Sequence, residues 1–257
     1  MGGVTGHLLF RWRGPISALV VGGVVGAAIV LPGLDAGAVV PPLGLAVGRW
    51  LAAAGVALRI LIVATALPGT SGRERTPFAT AALNQAGAYS LLRHPLYLAN
   101  LVAWLGVGIT SGSWWIALPA VVIGCILYGS IARAEDHHLA NRFGEAHRAW
   151  AERTPAFIPR PDRWRRPAAW APWPEVVRRE YASVVVVSVT VFLVESAREL
   201  GRHGKGPALG VVAAVLAGSV VLSLTARTLG RSRARGPTPA AITSPTPLAV
   251  RDDGTIS

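Results

Sequence analysis

Three stretches without charge limit what this chain can fold into. No Lys, Arg, Asp or Glu occurs across residues 14–34, 95–132 or 206–226. Hydrocarbon offers the backbone no hydrogen-bond partners, so a lipid-spanning segment takes roughly 20 mostly apolar residues as a helix. The composition agrees: 15% of the 257 residues are charged, where soluble domains carry about 25%. An all-α fold is therefore expected, a polytopic transmembrane helical bundle.

Six spans are expected, at residues 15–31, 43–67, 181–197 and 207–227, with two more cut from 95–132. Pro32-Gly33 ends the first, and Pro41-Pro42 and Pro68-Gly69 bracket the second. The 95–132 run is too long for one helix, and Thr110-Ser111-Gly112-Ser113 is its natural break, giving a tight hairpin. Arg11 and Arg13 precede the first span as they would in a signal peptide, but Val30-Leu31-Pro32-Gly33 is a poor cleavage site, so the span is expected to be retained. Residues 1–235 read as one domain, with a motif-bearing core at 55–160 and two extra C-terminal spans at 181–227. The tail, 236–257, is rich in Pro, Thr, Ala and Ser and reads as disordered.

The formal charge is +12, carried mostly by arginine. With six spans, Arg11 and Arg13, then Arg73, Arg75 and Arg93, then the arginines of 133–179, then Arg227 to Arg235 all fall on one side. The positive-inside rule makes that side cytoplasmic, with both termini there. No nucleic-acid module or basic recognition helix accompanies the charge, so nucleic acid is not an expected partner. No obligate protein partner is inferred. The Ala-, Gly-, Val- and Arg-rich, nearly Lys-free composition fits a bacterial inner membrane protein from a GC-rich genome. Cys125 reads as a buried small hydrophobe, Gly22, Gly23 and Gly26 as helix-packing positions, and Trp114, Trp115, Trp164, Trp170 and Trp173 as interfacial belts.

Two polar clusters flank the predicted hairpin. Gly87-Ala-Tyr89-Ser-Leu-Leu-Arg93-His94-Pro95-Leu-Tyr97 leads into its first helix. Arg133-Ala-Glu135-Asp136-His137-His138-Leu139 leaves its second, followed by Asn141-Arg142-Phe143-Gly144. A hairpin returns both to one face, so a pocket is expected there, open to water and to lipid. Arg59 lies inside the second span. A charge there is a functional candidate by default, the alternative being that it snorkels to the interface.

Residues 87–97 resemble the Gly-x-Tyr…Arg-His-Pro-x-Tyr signature of the isoprenylcysteine carboxyl methyltransferase and phospholipid N-methyltransferase superfamily. Residues 133–159 resemble its second half, with the acidic pair one residue nearer the arginine and Asp136 in place of a second Glu. His147 and Trp150 stand where the family has tyrosines, and Pro155-Ala-Phe-Ile-Pro159 matches its proline-bounded ending. Gly69-Thr-Ser-Gly-Arg73 is similar to a segment of bacterial members. The resemblance implies a helical membrane enzyme that uses S-adenosylmethionine and binds it on the cytoplasmic face between the Arg-His-Pro-x-Tyr region and the acidic pair.

The residue types suit that cofactor. Glu135 or Asp136 can pair with its ammonium, and Arg93 or Arg133 with its carboxylate. Tyr97 offers a π face to the sulfonium. His94 can donate to a hydroxyl or to adenine, Pro95 fixes the loop-to-helix turn, and Tyr89 belongs to the motif. For a carboxylate acceptor, Arg142 or Arg59 would hold it; for an amine or thiol, Glu135 or a histidine would take its proton. The acceptor is expected to be lipid-like or membrane-partitioned. No metal site is expected, since six histidines are too few for a membrane metal oxygenase. The competing readings are an NADPH-dependent sterol- or enone-type reductase, which shares an Arg-His-Pro-x-Tyr element, and a transporter or scaffold, against which stands the absence of repeats.

Overall fold

The computed structural model describes residues 2–31, 39–67 and 82–204. They form α1 (Gly2–Val30), α2 (Pro42–Thr65), α3 (Pro95–Thr110), α4 (Trp114–Phe143), the short α5 (Glu145–Arg153) and α6 (Trp173–His203). The described residues contain no β-strand, only two isolated bridges. Pro42 and Pro95 open their helices, where the missing N–H costs nothing. The hairpin break lies at 111–113 as the sequence predicts, with Gly112 at a φ of 83°.

Helices α1, α2, α4 and α6 are long and apolar enough to cross a membrane, and the chain is an integral membrane protein. The third expected span is the exception. At 16 residues, α3 reaches only about 24 Å, short of a hydrocarbon core of about 30 Å. The sixth expected span, the segment 69–73 and the tail lie outside the described residues. The expected fourth span stops at residue 132, yet α4 runs on to Phe143. The polar cluster is thus part of a continuous helix, because nothing between Arg133 and Phe143 breaks one. Gly144, with a φ of 51°, ends it.

The five long helices alternate in direction. At one end lie the start of α3, the end of α4 and the arginines of 133–166; this is the basic end. At the other, Val40 N–H donates to the Gly112 carbonyl (2.9 Å) and Arg202 Nη2 reaches the same oxygen (3.3 Å). The principal core lies toward that second end. Val24 and Ala28 of α1 meet Ala52, Val107, Ile116, Ala120, Val194 and Ala197 from the four other long helices. Smaller clusters of buried residues lie toward the basic end: Phe10, Leu127, Ile131 and Ala134, and Ile62, Ala88 and Ala99.

Helices α2 and α3 touch along a seam of small residues. A methyl group on Gly55 would come within 2.6 Å of the Ala103 nitrogen, one on Gly48 within 2.9 Å of the Ile109 side chain, and one on Gly106 would run into the Ala52 backbone. Close backbone approach replaces hydrophobic driving force, which lipid does not supply between helices. This corrects the expectation for Gly22, Gly23 and Gly26, beside which a methyl would meet nothing within 4 Å. Cys125 is exposed, not buried. The five belt tryptophans are exposed, Trp114 and Trp115 at one end and Trp164, Trp170 and Trp173 at the other.

Candidate active site

The loop before α3 is shaped by Gly87. Its φ of 57° with ψ of −137° is a region that side-chain-bearing residues avoid, and a methyl there would lie 2.6 Å from the Thr65 side chain. The chain then makes one tight turn, Ala88–Ser90, and returns to α3. The segment after α5 ties the loop down. Arg93 N–H donates to the Pro155 carbonyl (2.8 Å) and His94 N–H to that of Ala156 (3.1 Å). Gly87 N–H donates to the Arg165 carbonyl (2.9 Å), and Ser90 Oγ accepts from Arg165 N–H (2.9 Å). This is a physical role for the proline-bounded ending: it supplies the acceptors that fix the Arg-His-Pro turn.

Beside this turn lies a cavity of about 290 Å³, lined by α1 (Phe10, Arg13, Gly14, Ser17), α2 (Arg59), the loop (Tyr89, Arg93, His94), α3 (Pro95, Leu96, Tyr97, Asn100) and α4 (Tyr128, Glu135). Its aromatic wall is a ladder: His94 stacks on Tyr97 at 5.6 Å between ring centres, and Tyr97 on Tyr128 at 5.5 Å. Tyr97 Oη donates to Glu135 Oε2 at 2.8 Å. Because α3 is short and α4 long, the start of α3 lies level with the middle of α4. The last turns of α4 then carry acidic groups past it.

The two acids face different ways. Glu135 lines the cavity, whereas Asp136 turns to the loop and α5. Asp136 Oδ2 is 3.1 Å from Arg93 Nη2, and its Oδ1 is 3.2 Å from His94 Nε2 and 3.6 Å from His147 Nε2. The other nitrogen of His94, Nδ1, is 3.6 Å from Glu135 Oε2. Burial alone would pull the His94 imidazole down. Hydrogen bonding to Asp136 and Glu135 outweighs it and pushes the pKa up to about 9. The distances agree in direction, since a carboxylate near each ring nitrogen favours the doubly protonated ring. His147 goes the other way: burial lowers it despite the pull of Asp136. The Tyr89 hydroxyl is pushed well up, by burial first and Glu135 second, and stays protonated.

Of the residues singled out in the sequence, Tyr89, Arg93, His94, Pro95, Tyr97, Glu135 and Arg59 come together around the cavity. Asp136 stands behind them. Arg133 and Arg142 do not join. Both are exposed, Arg133 donating to Ser130 Oγ (3.3 Å) and Arg142 lying over the Phe143 ring. Helix geometry explains both exclusions: Arg133 points about 140° away from the face of α4 that carries Tyr128 and Glu135, and Arg142 lies on that face but two turns beyond Glu135, past the cavity. Arg59 does not snorkel. Its Nε and Nη2 make a two-pronged pair with Glu180 of α6 (2.8 and 3.0 Å), and Nη1 donates to Asn100 Oδ1 (2.6 Å). His147 and Trp150 are both buried, and Trp150 Nε1 donates to the Tyr89 carbonyl (3.3 Å). The tyrosine replacements thus still brace the site.

Sequence reasoning missed Arg13, Asn100, Tyr128 and Glu180. Tyr128 and Glu135 are seven residues apart, two helical turns, which was a usable signal. Glu180 lay one residue outside the expected fifth span. Arg13 was read only as a topological charge. Among the described residues no group of three or more His, Cys, Asp or Glu is arranged to hold a metal ion.

A family model described as phospholipid methyltransferase matches residues 43–146, which takes in α2 but for its first residue and all of α3 and α4. The chain is 34% identical over 164 residues to the nickel-cobalt-cadmium resistance protein NccN of Alcaligenes xylosoxydans xylosoxydans, a match covering 61% of this chain and 73% of that protein. It is 32% identical over 160 residues to the cobalt-zinc-cadmium resistance protein CzcN of Cupriavidus metallidurans, covering 56% and 71%. No solved structure matches it.

Proposed function

We propose that this chain, which belongs to the phospholipid methyltransferase family, transfers a methyl group from S-adenosylmethionine to a lipid-like or membrane-partitioned acceptor. The observation that carries the reading is the cavity itself, in which Glu135 and an aromatic ladder meet beside the Arg93–His94 turn. At about 290 Å³ it lies at the lower end of small-molecule sites, roughly 300–1,000 Å³. Arg93 lines the cavity, with a buried Nε that has no hydrogen-bond partner among the described residues.

The cofactor supplies an electrophilic methyl group on a sulfonium. Glu135 would take the cofactor's ammonium, Arg93 its carboxylate, and the Tyr97 and Tyr128 faces its cationic sulfur. Burial keeps water from the reacting atoms, and positioning does most of the work in a displacement at carbon. An anionic acceptor needs no base. An amine or thiol loses a proton, for which Glu135 is the carboxylate on the cavity wall. The clustering of arginines at the basic end supports a cytoplasmic placement of the site and of the N-terminus. Metal resistance, for which the two relatives are named, would then be the setting in which a membrane component is modified.

Calorimetry on the purified full chain tests the reading, with S-adenosylmethionine and NADPH titrated in parallel. S-adenosylmethionine is expected to bind and NADPH not to. Glu135→Gln is expected to weaken binding by about tenfold or more, the value of one charge-assisted contact. Binding of NADPH alone, or of neither nucleotide, would overturn the proposal.

A further inference from the structure

Three arginines line the cavity, and their partners differ. Arg59 is neutralised by the two-pronged pair with Glu180. Arg93 is neutralised by Asp136. Arg13 has no carboxylate within 4 Å among the described residues. Its Nη1 donates to the Phe10 carbonyl (2.9 Å), one turn back on its own helix, and its guanidinium lies 3.7 Å over the Phe10 ring. The ring and carbonyl fix the side chain on the cavity wall without cancelling its charge.

The wall next to it is open. Gly14 has no side chain, and a methyl there would meet nothing within 4 Å. Ser17 follows one turn on, also lining the cavity. Opposite stand Tyr97, Tyr128 and Glu135. With Glu135 engaged by a cationic cofactor, Arg13 is the charge left to be balanced, and the second ligand is the group that would balance it.

We propose that Arg13 is the anion subsite for the methyl acceptor: a carboxylate or phosphate on the acceptor enters along α1 and is held by the Arg13 guanidinium. The acceptor's role rests on the methyltransferase reading; the anion subsite itself does not. Helix α1 lies outside the family-matched residues 43–146, so the subsite is carried by a helix that the match does not cover. Guanidinium suits this work because it binds either oxyanion with two parallel donors.

The test uses the full chain in phosphatidylcholine nanodiscs, with empty nanodiscs as the blank. Dodecanoate, dodecyl phosphate and uncharged dodecanol are titrated by calorimetry, with and without saturating S-adenosylmethionine. The proteins are wild type, Arg13→Gln, Arg13→Lys and Arg11→Gln, each first matched in melting temperature. Arg11 is exposed two residues away and controls for net charge. At least one anionic probe is expected to outbind dodecanol, and which one identifies the oxyanion. Arg13→Gln should weaken that probe about tenfold, Arg13→Lys should recover part of it, and Arg11→Gln should change nothing. If Arg13→Gln fails to fold, the geometry-sensitive loss in Arg13→Lys carries the test. Unchanged anion affinity in the Arg13 variants overturns the subsite, as does a loss confined to S-adenosylmethionine, which would give Arg13 to the cofactor's carboxylate. If wild type binds no S-adenosylmethionine, the methyltransferase reading fails separately, and the titrations without it still decide the subsite.

Discussion

Glu180→Gln isolates one charge in the middle of the bundle. Glu180 is 2% exposed and Arg59 12% exposed, and they meet through two hydrogen bonds that join α2 to α6. The amide keeps the shape of the carboxylate and one acceptor, and removes only the countercharge. Stranding a buried partner in this way costs about 3–5 kcal/mol. At about 2–4 °C per kcal/mol for a chain of this size, the melting temperature should fall by roughly 6–20 °C. Arg59→Met with Glu180→Met removes both charges and should cost less than Glu180→Gln alone, because a paired charge buried in a low-dielectric interior contributes little net stability. Asn100 and Ser183, which accept from Arg59 at 2.6 and 3.1 Å, lose their donor in the double variant. Thermal unfolding followed by circular dichroism in one detergent, at one lipid ratio, checks both. A Glu180→Gln protein that melts with wild type, or a double variant as damaged as the sum of its singles, would refute the buried-pair argument.

Gly87→Ala forces a side chain into a positive-φ conformation with Thr65 in its path; backbone strain of about 1–3 kcal/mol is expected, read as a lowered melting temperature. His94 gives a pH dependence of definite sign. Its folded pKa of about 9 exceeds the ordinary 6.5, so the stabilisation is fully present below pH 6.5 and is lost as pH rises through 9, by about 3 kcal/mol at most. Melting temperatures from pH 6.5 to 9.5 should therefore fall in wild type and stay flat in His94→Gln. His147, shifted downward by burial, acts only below its ordinary value and does not enter that window.

The bundle was largely legible because lipid is a severe solvent: uncharged runs with Pro and Gly at their ends leave few alternatives. Four of the expected spans correspond to helices that begin or end within a few residues of prediction. The miss at residue 132 has a simple origin. A charge marks where a chain leaves the apolar layer and does not mark where its helix stops. Long α4 therefore looked like a span followed by a loop. The site was legible where chemistry is local, in Arg93-His94-Pro95-Leu-Tyr97 and in Glu135-Asp136. It was not legible where it depends on packing between helices. Nothing in the sequence joins Arg59 to Glu180, 121 positions away, or shows that α1 brings Arg13 to the same cavity.

Adjacency in sequence also hides a division of labour. Successive residues on an α-helix point about 100° apart, so Glu135 and Asp136 cannot serve one ligand equally. Glu135 faces the cavity with Tyr97, while Asp136 gathers Arg93, His94 and His147 behind it. The two isosteric variants should therefore separate. Asp136→Asn leaves three cationic or ionisable groups sharing a neutral amide, and should lower the melting temperature and reduce the rise in the His94 pKa. Glu135→Gln removes a charge that faces open space and should melt near wild type while weakening S-adenosylmethionine. Measuring melting temperature and ligand affinity on the same two preparations decides the matter. If Asp136→Asn lost affinity without losing stability, and Glu135→Gln did the reverse, Asp136 would be the ligand-facing acid and the orientation of α4 drawn from this cavity would be wrong.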